Sequence, residues 1–164
     1  MKSKIVAITA ALAISSGAWA QANQDLNNFN AAVEEARTVI QTERKMLIIE
    51  NMTMTDDEAS KFWPLYDKYA AELKEVGNMR VNVIKKYAAS YSSNSLTGAE
   101  AKKMIEDILK FQKKTVTVRE SYLPKFRKIL GDIKTARFYQ IENKLDAITN
   151  LALAREIPLV PVQQ

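Results

Sequence analysis

Apolar residues recur at steps of three and four along most of the chain, which is the spacing of one face of an α-helix. The first such segment runs from about Asp25 to Ile49. Glu43 occupies one position at which this spacing would place an apolar residue. Its apolar positions are Leu26, Phe29, Val33, Ala36, Ile40 and Leu47. The second segment runs from Thr55 to about Tyr91. Its register holds Phe62, Tyr66, Tyr69, Leu73, Val76, Arg80, Val83 and Tyr87.

Two further segments follow the polar loop Ser92 to Ser95. The third runs from Thr97 to about Leu130, and the fourth continues to about Glu156 after an interruption at "LGDI". The third register holds Ile105, Ile108, Gln112, Thr115, Arg119, Tyr122, Phe126 and Ile129. The fourth holds Phe138, Ile141, Leu145, Ile148 and Ala152. The tail, residues 158–164, is predicted to be extended because proline lacks an amide donor and restricts the residue before it.

This pattern predicts an all-α protein with one helical domain, residues 21–157. The second and third helices would each be roughly 50 Å long at 1.5 Å per residue, which favours an elongated hairpin-like molecule. Pro64 and Pro124 lie inside these helices and should bend them. Because long helices in a single layer leave apolar surface uncovered, we expect a dimer or a surface that binds client proteins.

Both long helices are predicted to begin with a capping box. Thr55 and Glu58 have the Thr-x-x-Glu spacing, and Thr97 and Glu100 repeat it. In such a box the threonine oxygen accepts from the third helical amide while the glutamate accepts from the cap amide. The acidic run Asp56 to Glu58 also suits the positive end of the helix dipole. These acids are therefore explained without a metal or a substrate.

The first twenty residues have the three-part pattern of a secretory signal peptide. A basic start, an apolar run from Ile5 to Ile14 and the sequence Ala18-Trp19-Ala20 predict cleavage after Ala20 and export to a periplasm. Removing them leaves 144 of the 164 residues. The signal holds two of the 24 basic residues and no acidic one, so the net charge falls from +5 to +3. Nucleic acid is not an expected partner of an exported protein.

The composition argues against an enzyme and against a cofactor. The chain has no cysteine and no histidine, so a Ser-His or Cys-His nucleophile is impossible, and no glycine-rich phosphate loop is present. The acidic pairs Glu34/Glu35 and Glu106/Asp107 are typical of solvated helix faces. Four methionines could bind Cu(I) through their thioethers, although methionine is also a common filler of apolar gaps. They are Met46, Met52, Met54 and Met79.

Charge is distributed unevenly along the sequence. Asp25 to Glu58 has a net charge of −5, from three basic and eight acidic residues, whereas Lys102 to Lys144 has +7, from twelve and five. Acidic and basic helices could pack beside each other or across a dimer. Alternatively, a basic face could attract acidic or unfolded clients. An anionic membrane surface is a further partner to consider, without a membrane anchor.

The two capped helix starts carry a family resemblance. "MTDDE" and "LTGAE" are similar to the Leu-Thr-x-x-Gln motif of the Spy/CpxP family of periplasmic stress proteins, with Glu in place of Gln. The segment "KFRKILGDIKTARFYQIENKLDAI" resembles the region of a later copy, from which Leu130-Gly131-Asp132-Ile133-Lys134 departs. The resemblance implies a bent antiparallel helical hairpin that dimerises into a cradle. It also implies an ATP-independent chaperone, an adaptor of an envelope-stress sensor kinase, or a metal-responsive sensor. The metal-binding members use histidine, which this chain lacks.

Together, these observations predict a periplasmic holdase that binds unfolded or partner envelope proteins as a homodimer. The alternatives are an adaptor that uses the tail Pro158 to Gln164 to contact a sensor kinase, and a methionine-based metal sensor. The predicted client-binding face combines apolar contact from aromatic residues with attraction from arginines. Its residues are Phe62, Trp63, Tyr66, Tyr69, Arg80, Arg119, Tyr122 and Phe126.

Overall fold

The computed structural model describes the backbone of residues 26–161 and the side chains of residues 33–161. It contains three helices, α1 (Leu26–Asn51), α2 (Asp56–Ser92) and α3 (Gly98–Glu156), and no strand in the described part of the chain. The all-α prediction is confirmed. The predicted signal peptide, residue 25 and the last three residues of the predicted tail lie outside the described residues. So do the side chains of Leu26 and Phe29.

Helices α2 and α3 both begin at a capping box, as predicted. The Thr55 hydroxyl accepts from the Glu58 amide at 3.2 Å, and the Glu58 carboxylate accepts from the Thr55 amide at 2.8 Å. Thr97 and Glu100 repeat both bonds with the same distances. The helix therefore starts where a local exchange of hydrogen bonds satisfies two amides that have no partner inside the helix.

The interruption of α3 lies at a glycine and not at a proline. The helical assignment continues through Pro64 in α2 and Pro124 in α3, and both prolines are exposed. Gly131 has φ 71° and ψ 175°, which is non-helical. A residue with a Cβ is strongly disfavoured in that conformation. The predicted break at Leu130 to Ile133 thus falls at the one position in α3 with non-helical dihedral angles.

Gly131 reverses the direction of the chain. The Tyr139 hydroxyl donates to the Arg119 carbonyl at 2.7 Å, and the rings of Phe126 and Phe138 are 4.7 Å apart. Residues twenty positions apart in a straight helix would be about 30 Å apart. The second part of α3, residues 132–156, therefore packs antiparallel to the first part, residues 98–130.

The remaining directions follow from polar contacts between helices. The second part of α3 runs parallel to α2, because its residues meet α2 in the same order along both segments. The pairs are Glu58–Lys134, Tyr69–Glu142 and Arg80–Asn150. Helix α1 runs antiparallel to α2, since Lys45 meets Asp67 whereas the earlier Arg37 meets the later Asn78.

The apolar core is concentrated near the end of the molecule that contains Gly131. Its buried members come from all three helices and the segment after α1. They are Ile48, Met52, Phe62, Tyr66, Tyr69, Tyr122, Phe126, Leu130 and Phe138. At two places the buried positions differ from the predicted apolar spacing. Ile48, and not Leu47, is the fully buried residue near the end of α1, and Ile105 is 59% exposed at the start of α3.

Candidate functional site

Most of the predicted client-binding face is not a surface. Five of its eight residues are at most 3% exposed, because the second part of α3 folds back over α2 and closes the core around them. They are Phe62, Tyr66, Tyr69, Tyr122 and Phe126. As solvent-facing contacts for a client these five predictions were wrong. The stripe was identified correctly as apolar, but it packs inside the molecule.

These aromatic residues form one packed cluster. The ring of Phe62 lies 5.5 Å from that of Phe126 and 5.4 Å from that of Phe138, which it meets edge-on. Tyr69 meets Phe126 edge-on at 5.5 Å. Edge-to-face and tilted ring pairs at these distances are favourable beyond the area that they bury. The cluster therefore fixes α2 against both parts of α3.

The other three predicted face residues, Trp63, Arg80 and Arg119, are partly exposed. Trp63 packs edge-on against Phe62 with a centroid distance of 5.1 Å. Arg80 donates to Asn150 at 2.8 Å and lies 5.7 Å over the ring of Phe111. The predicted face is thus divided between a buried cluster and separate positions at its edges.

The third of these residues, Arg119, belongs to a partly buried network of charges that the helical spacing did not predict. At the centre of this network is Glu142, which is 1% exposed. Arg44 donates to Glu142 at 2.9 Å and to Asp146 at 2.7 Å. Arg119 pairs with the other oxygen of Asp146, and the Tyr69 hydroxyl donates to Glu142 at 3.4 Å. The network joins α1, α2 and both parts of α3.

Burial governs the protonation of this network. It raises the pKa of Glu142, an effect that Arg44 and Arg119 oppose. It also raises the pKa of Tyr69, and the charge of Glu142 adds to that effect. Burial acts to lower the pKa of Arg44, but the carboxylates of Glu142 and Asp146 outweigh it and raise that pKa. The arginines therefore stay charged.

Two buried polar atoms of this network, Glu142 Oε1 and Arg119 Nε, have no hydrogen-bond partner within the described structure, and neither has Glu43 Oε2 on α1. A buried polar atom without a partner is destabilising, so the network is only partly satisfied. A sequence signal existed for Glu142. It lies four residues after Phe138 and three before Leu145, so the helical spacing places this charged residue on the same face as those apolar residues.

The four methionines of the alternative metal site differ in their surroundings, and Met79 is partly buried. Met52 is buried in the core and Met54 packs against it, whereas Met46 is 39% exposed. Among the described residues, no group of three or more acidic, histidine or cysteine side chains could hold a metal ion. The two methionines at the core act as apolar filling, which suits a flexible thioether side chain.

Four of the exposed apolar side chains lie on the first part of α3. Ile105 and Leu109 are each 59% exposed, Val116 is 52% exposed and Leu123 is 37% exposed. At Leu123 this line reaches a cleft of about 380 Å³ beside the chain reversal. The cleft is lined by Leu123, Arg127, Asp132, Thr135, Ala136 and Tyr139.

No helix in the described part of the chain is both long and apolar enough to cross a membrane. Comparison of the chain with models of protein families, with curated proteins and with solved structures found no match.

Proposed function

We propose that this chain is an ATP-independent, protein-binding holdase of the periplasm. The observation that carries the proposal is the line of exposed apolar side chains on α3, including Ile105, Leu109 and Val116, each more than half exposed. Clustered exposed apolar side chains on one helix face are typical of a surface that has a partner. The exposed lysines Lys110, Lys113 and Lys114 lie in the same stretch of α3, together with the acidic residues Glu106 and Asp107.

The sequence resemblance supports the same assignment. The capped starts at Thr55 and Thr97 are similar to the repeated motif of the Spy/CpxP stress proteins, and the signal-like residues 1–20 favour export. We include in the proposal a homodimer and the division of the domain into four helical segments. A cradle would then be formed between two copies, not inside one chain.

The proposed role requires no catalytic reaction. Glu142 is buried and is held by Arg44, and the partly exposed Asp146 is held by Arg44 and Arg119, so both acids are already paired with arginines. A catalytic pair of carboxylates needs access to a substrate and two different environments. The network is better explained as a connection between helices than as an active site.

The proposal can be tested with the chain purified without residues 1–20. Light scattering from a chemically denatured, aggregating client is measured without ATP, with and without the protein. We expect suppression of scattering at near-stoichiometric ratios. We expect that suppression to be lost in the double variant Leu109→Ser/Val116→Ser, because it removes two exposed apolar contacts without touching the core.

The control is Ile133→Ser, at a residue that is 87% exposed and belongs to the second part of α3, not to this line. It should suppress scattering as the unchanged protein does. Circular dichroism must show equal helicity for all three proteins. Absence of suppression across several clients, with all proteins folded, would refute the holdase assignment.

A second candidate function is favoured by the C-terminal tail. The Tyr87 hydroxyl donates to the Pro158 carbonyl at 3.0 Å, and Leu159 beyond it is 90% exposed. An anchored tail that presents an apolar side chain suits an adaptor that contacts one sensor protein. Deleting residues 159–164 should abolish capture of that single envelope partner but leave the suppression of client scattering unchanged.

A further inference from the structure

Helix α1 is joined to the rest of the protein mainly by polar side chains. Of its described side chains, residues 33–51, only Ile48 is buried. Ahead of Ile48, a series of charged and polar pairs connects α1 to α2 and to the second part of α3. The pairs are Glu34–Lys74, Arg37–Asn78, Arg44–Glu142, Arg44–Asp146 and Lys45–Asp67, at 2.7–2.9 Å. A segment with so little apolar burial is expected to open at a lower free energy than the core.

Two of these ion pairs are exposed to solvent. Lys45 and Asp67 are 41% and 58% exposed, and Lys74 and Glu34 are 53% and 54% exposed. Exposed ion pairs contribute little to stability, and dissolved salt screens them. Only the pairs of Arg44 reach the interior, so the closed position of α1 depends on one arginine and on the apolar end around Ile48.

The contact around Arg44 also carries a cost. Glu142 Oε1, on the residue that Arg44 holds, and Glu43 Oε2, on α1 itself, are buried without a hydrogen-bond partner in the described structure. A buried polar atom without a partner has lost its hydration and gained nothing in return. Movement of α1 away from α3 would let water reach both atoms. The free energy that holds α1 closed is therefore smaller than the number of its pairs suggests.

Helix α1 covers one face of α2. Tyr66 on this face is 1% exposed, and the side chains of Gln41 and Arg44 on α1 interact with it. Further along α2, a Cβ at Gly77 would lie 3.9 Å from Arg37 Nη2, so α1 passes close over α2 at this point. Opening of α1 would therefore uncover the face that contains Tyr66 and Gly77.

The net charges of the two parts favour the closed arrangement. Helix α1 holds three basic and four acidic residues, a net charge of −1, whereas residues 56–156 hold 19 basic and 14 acidic residues, a net charge of +5. Salt weakens this attraction together with the exposed ion pairs. The apolar contacts within the rest of the molecule are not screened in this way.

We propose that α1 is a salt-sensitive strap. It opens as one unit while α2 and α3 stay packed together, and its opening uncovers Tyr66. The ring of Tyr66 meets those of Trp63 and Phe138, with centroid distances of 5.7 and 6.1 Å, so the strap controls how far solvent reaches into the aromatic cluster. The cluster joins α2 to both parts of α3 without a ring from α1, which keeps them together when the strap is open. This device is independent of the holdase activity.

Hydrogen exchange followed by mass spectrometry tests the strap in the chain purified without residues 1–20. Exchange is compared between peptides from α1 and peptides from α2, at about 0.05 M and about 0.5 M sodium chloride. We expect the amides of α1 to exchange at least about tenfold faster than those at the centre of α2. The higher salt should raise exchange in α1 by at least about threefold and leave exchange in α2 unchanged.

A reversal of charge at Lys45 tests the ion pairs directly. Lys45→Glu places a like charge opposite Asp67 and should raise exchange in α1 by at least about threefold at low salt. The double variant Lys45→Glu/Asp67→Lys restores an opposite pair and should return exchange towards that of the unchanged protein. Lys61→Glu is the matched control, because Lys61 is also exposed but pairs with Asp57 inside α2. It should leave exchange in α1 unchanged.

A single thiol on the covered face reports whether opening exposes α2. The chain has no cysteine, so Gly77→Cys carries one thiol, and its labelling by an uncharged maleimide can be followed. Asn82→Cys, at an exposed position of the same helix, is the control. We expect the thiol at position 77 to react more slowly than the thiol at position 82 at low salt, and the difference to shrink at high salt.

Three results would overturn the strap. The first is exchange of α1 at the same rate as α2 and α3, which would show that α1 opens only when the whole protein unfolds. The second is exchange in α1 that neither salt nor Lys45→Glu changes, with circular dichroism showing folded protein. The third is equally fast labelling of Gly77→Cys and Asn82→Cys at low salt, which would show that α1 does not cover α2. None of these measurements uses a client protein, so they are separate from the test of the holdase.

Discussion

Arg44 and Glu142, which are 98 positions apart in the sequence, are joined by a hydrogen bond of 2.9 Å in the interior. Glu142 is 1% exposed, and Arg44 also holds Asp146 at 2.7 Å. Helix α1 has few other buried contacts with the rest of the fold, apart from those at its end around Ile48. The pair therefore connects α1 to the part of α3 that folds back after Gly131.

The first prediction concerns the loss of one partner of the Arg44–Glu142 ion pair. Arg44→Met leaves Glu142 buried without its main cation, so the free energy of unfolding should fall by about 3–5 kcal/mol. The double variant Arg44→Met/Glu142→Met removes both charges and should be more stable than Arg44→Met alone. Urea unfolding followed by circular dichroism measures the free energy of unfolding of the single and double variants. A double variant as unstable as the sum of the single ones would contradict this account.

The second prediction concerns pH. Burial raises the pKa of Glu142 above its ordinary 4.5, so between these two values the folded protein binds more protons than the unfolded chain. The contribution of Glu142 to stability is therefore fully present below pH 4.5 and is lost as the pH rises through the folded pKa. Relative to Glu142→Gln, the unchanged protein should gain stability on acidification. Thermal unfolding of the unchanged protein and of Glu142→Gln, measured from neutral pH to pH 4.5, tests this expectation.

The capping glutamates provide a control in which the pKa shift has the opposite direction. Hydrogen bonds to Lys134 and the Thr55 amide lower the pKa of Glu58, and the Thr97 amide and hydroxyl lower that of Glu100. Their contributions are present above pH 4.5 and are lost as the pH falls through the folded pKa. Glu100→Gln should thus be less stable than the unchanged protein at neutral pH, with the difference disappearing in acid. The same trend in Glu142→Gln would contradict a raised pKa at Glu142.

The third prediction concerns the chain reversal. Gly131→Ala should lower the free energy of unfolding by about 1–3 kcal/mol, because φ 71° with ψ 175° is disfavoured for any residue with a Cβ. The cause is the backbone alone, since a Cβ at Gly131 would meet no atom within 4 Å. Gly98 is the matched control, because a Cβ there also meets nothing and its φ is not positive. Gly98→Ala should be neutral or stabilising by up to about 1 kcal/mol.

The fourth prediction tests the corrected location of the aromatic stripe. Phe126→Ala should lower the free energy of unfolding by about 3–5 kcal/mol, because Phe126 is fully buried among Phe62, Tyr69 and Phe138. Ile133→Ala, at an exposed position, should change it by less than about 0.5 kcal/mol. Chemical denaturation compares the free energies of unfolding of the two variants. Equal effects would indicate that the aromatic cluster is not the core.

The sequence by itself determined the features that depend on a few neighbouring residues. The capping boxes at Thr55 and Thr97, the break around Gly131 and the end of α3 before Pro158 were predicted within one or two residues. A cap, a glycine conformation or a proline acts on amides within about one helical turn. Such signals do not depend on how the helices pack. The all-α class followed from the apolar spacing of three and four, which is also a property of single segments.

Only the tertiary structure decided which surfaces are inside. Periodicity showed that Phe62, Tyr66 and Phe126 share apolar faces, but an apolar face can pack in a core or meet a partner. The reversal at Gly131 settled this by bringing Phe138 and Glu142 onto α2. Burial depends on contacts between residues far apart in the sequence, and so do the pairing of Arg44 with Glu142 and the exposure of Ile105. No local pattern encodes the distance between such residues.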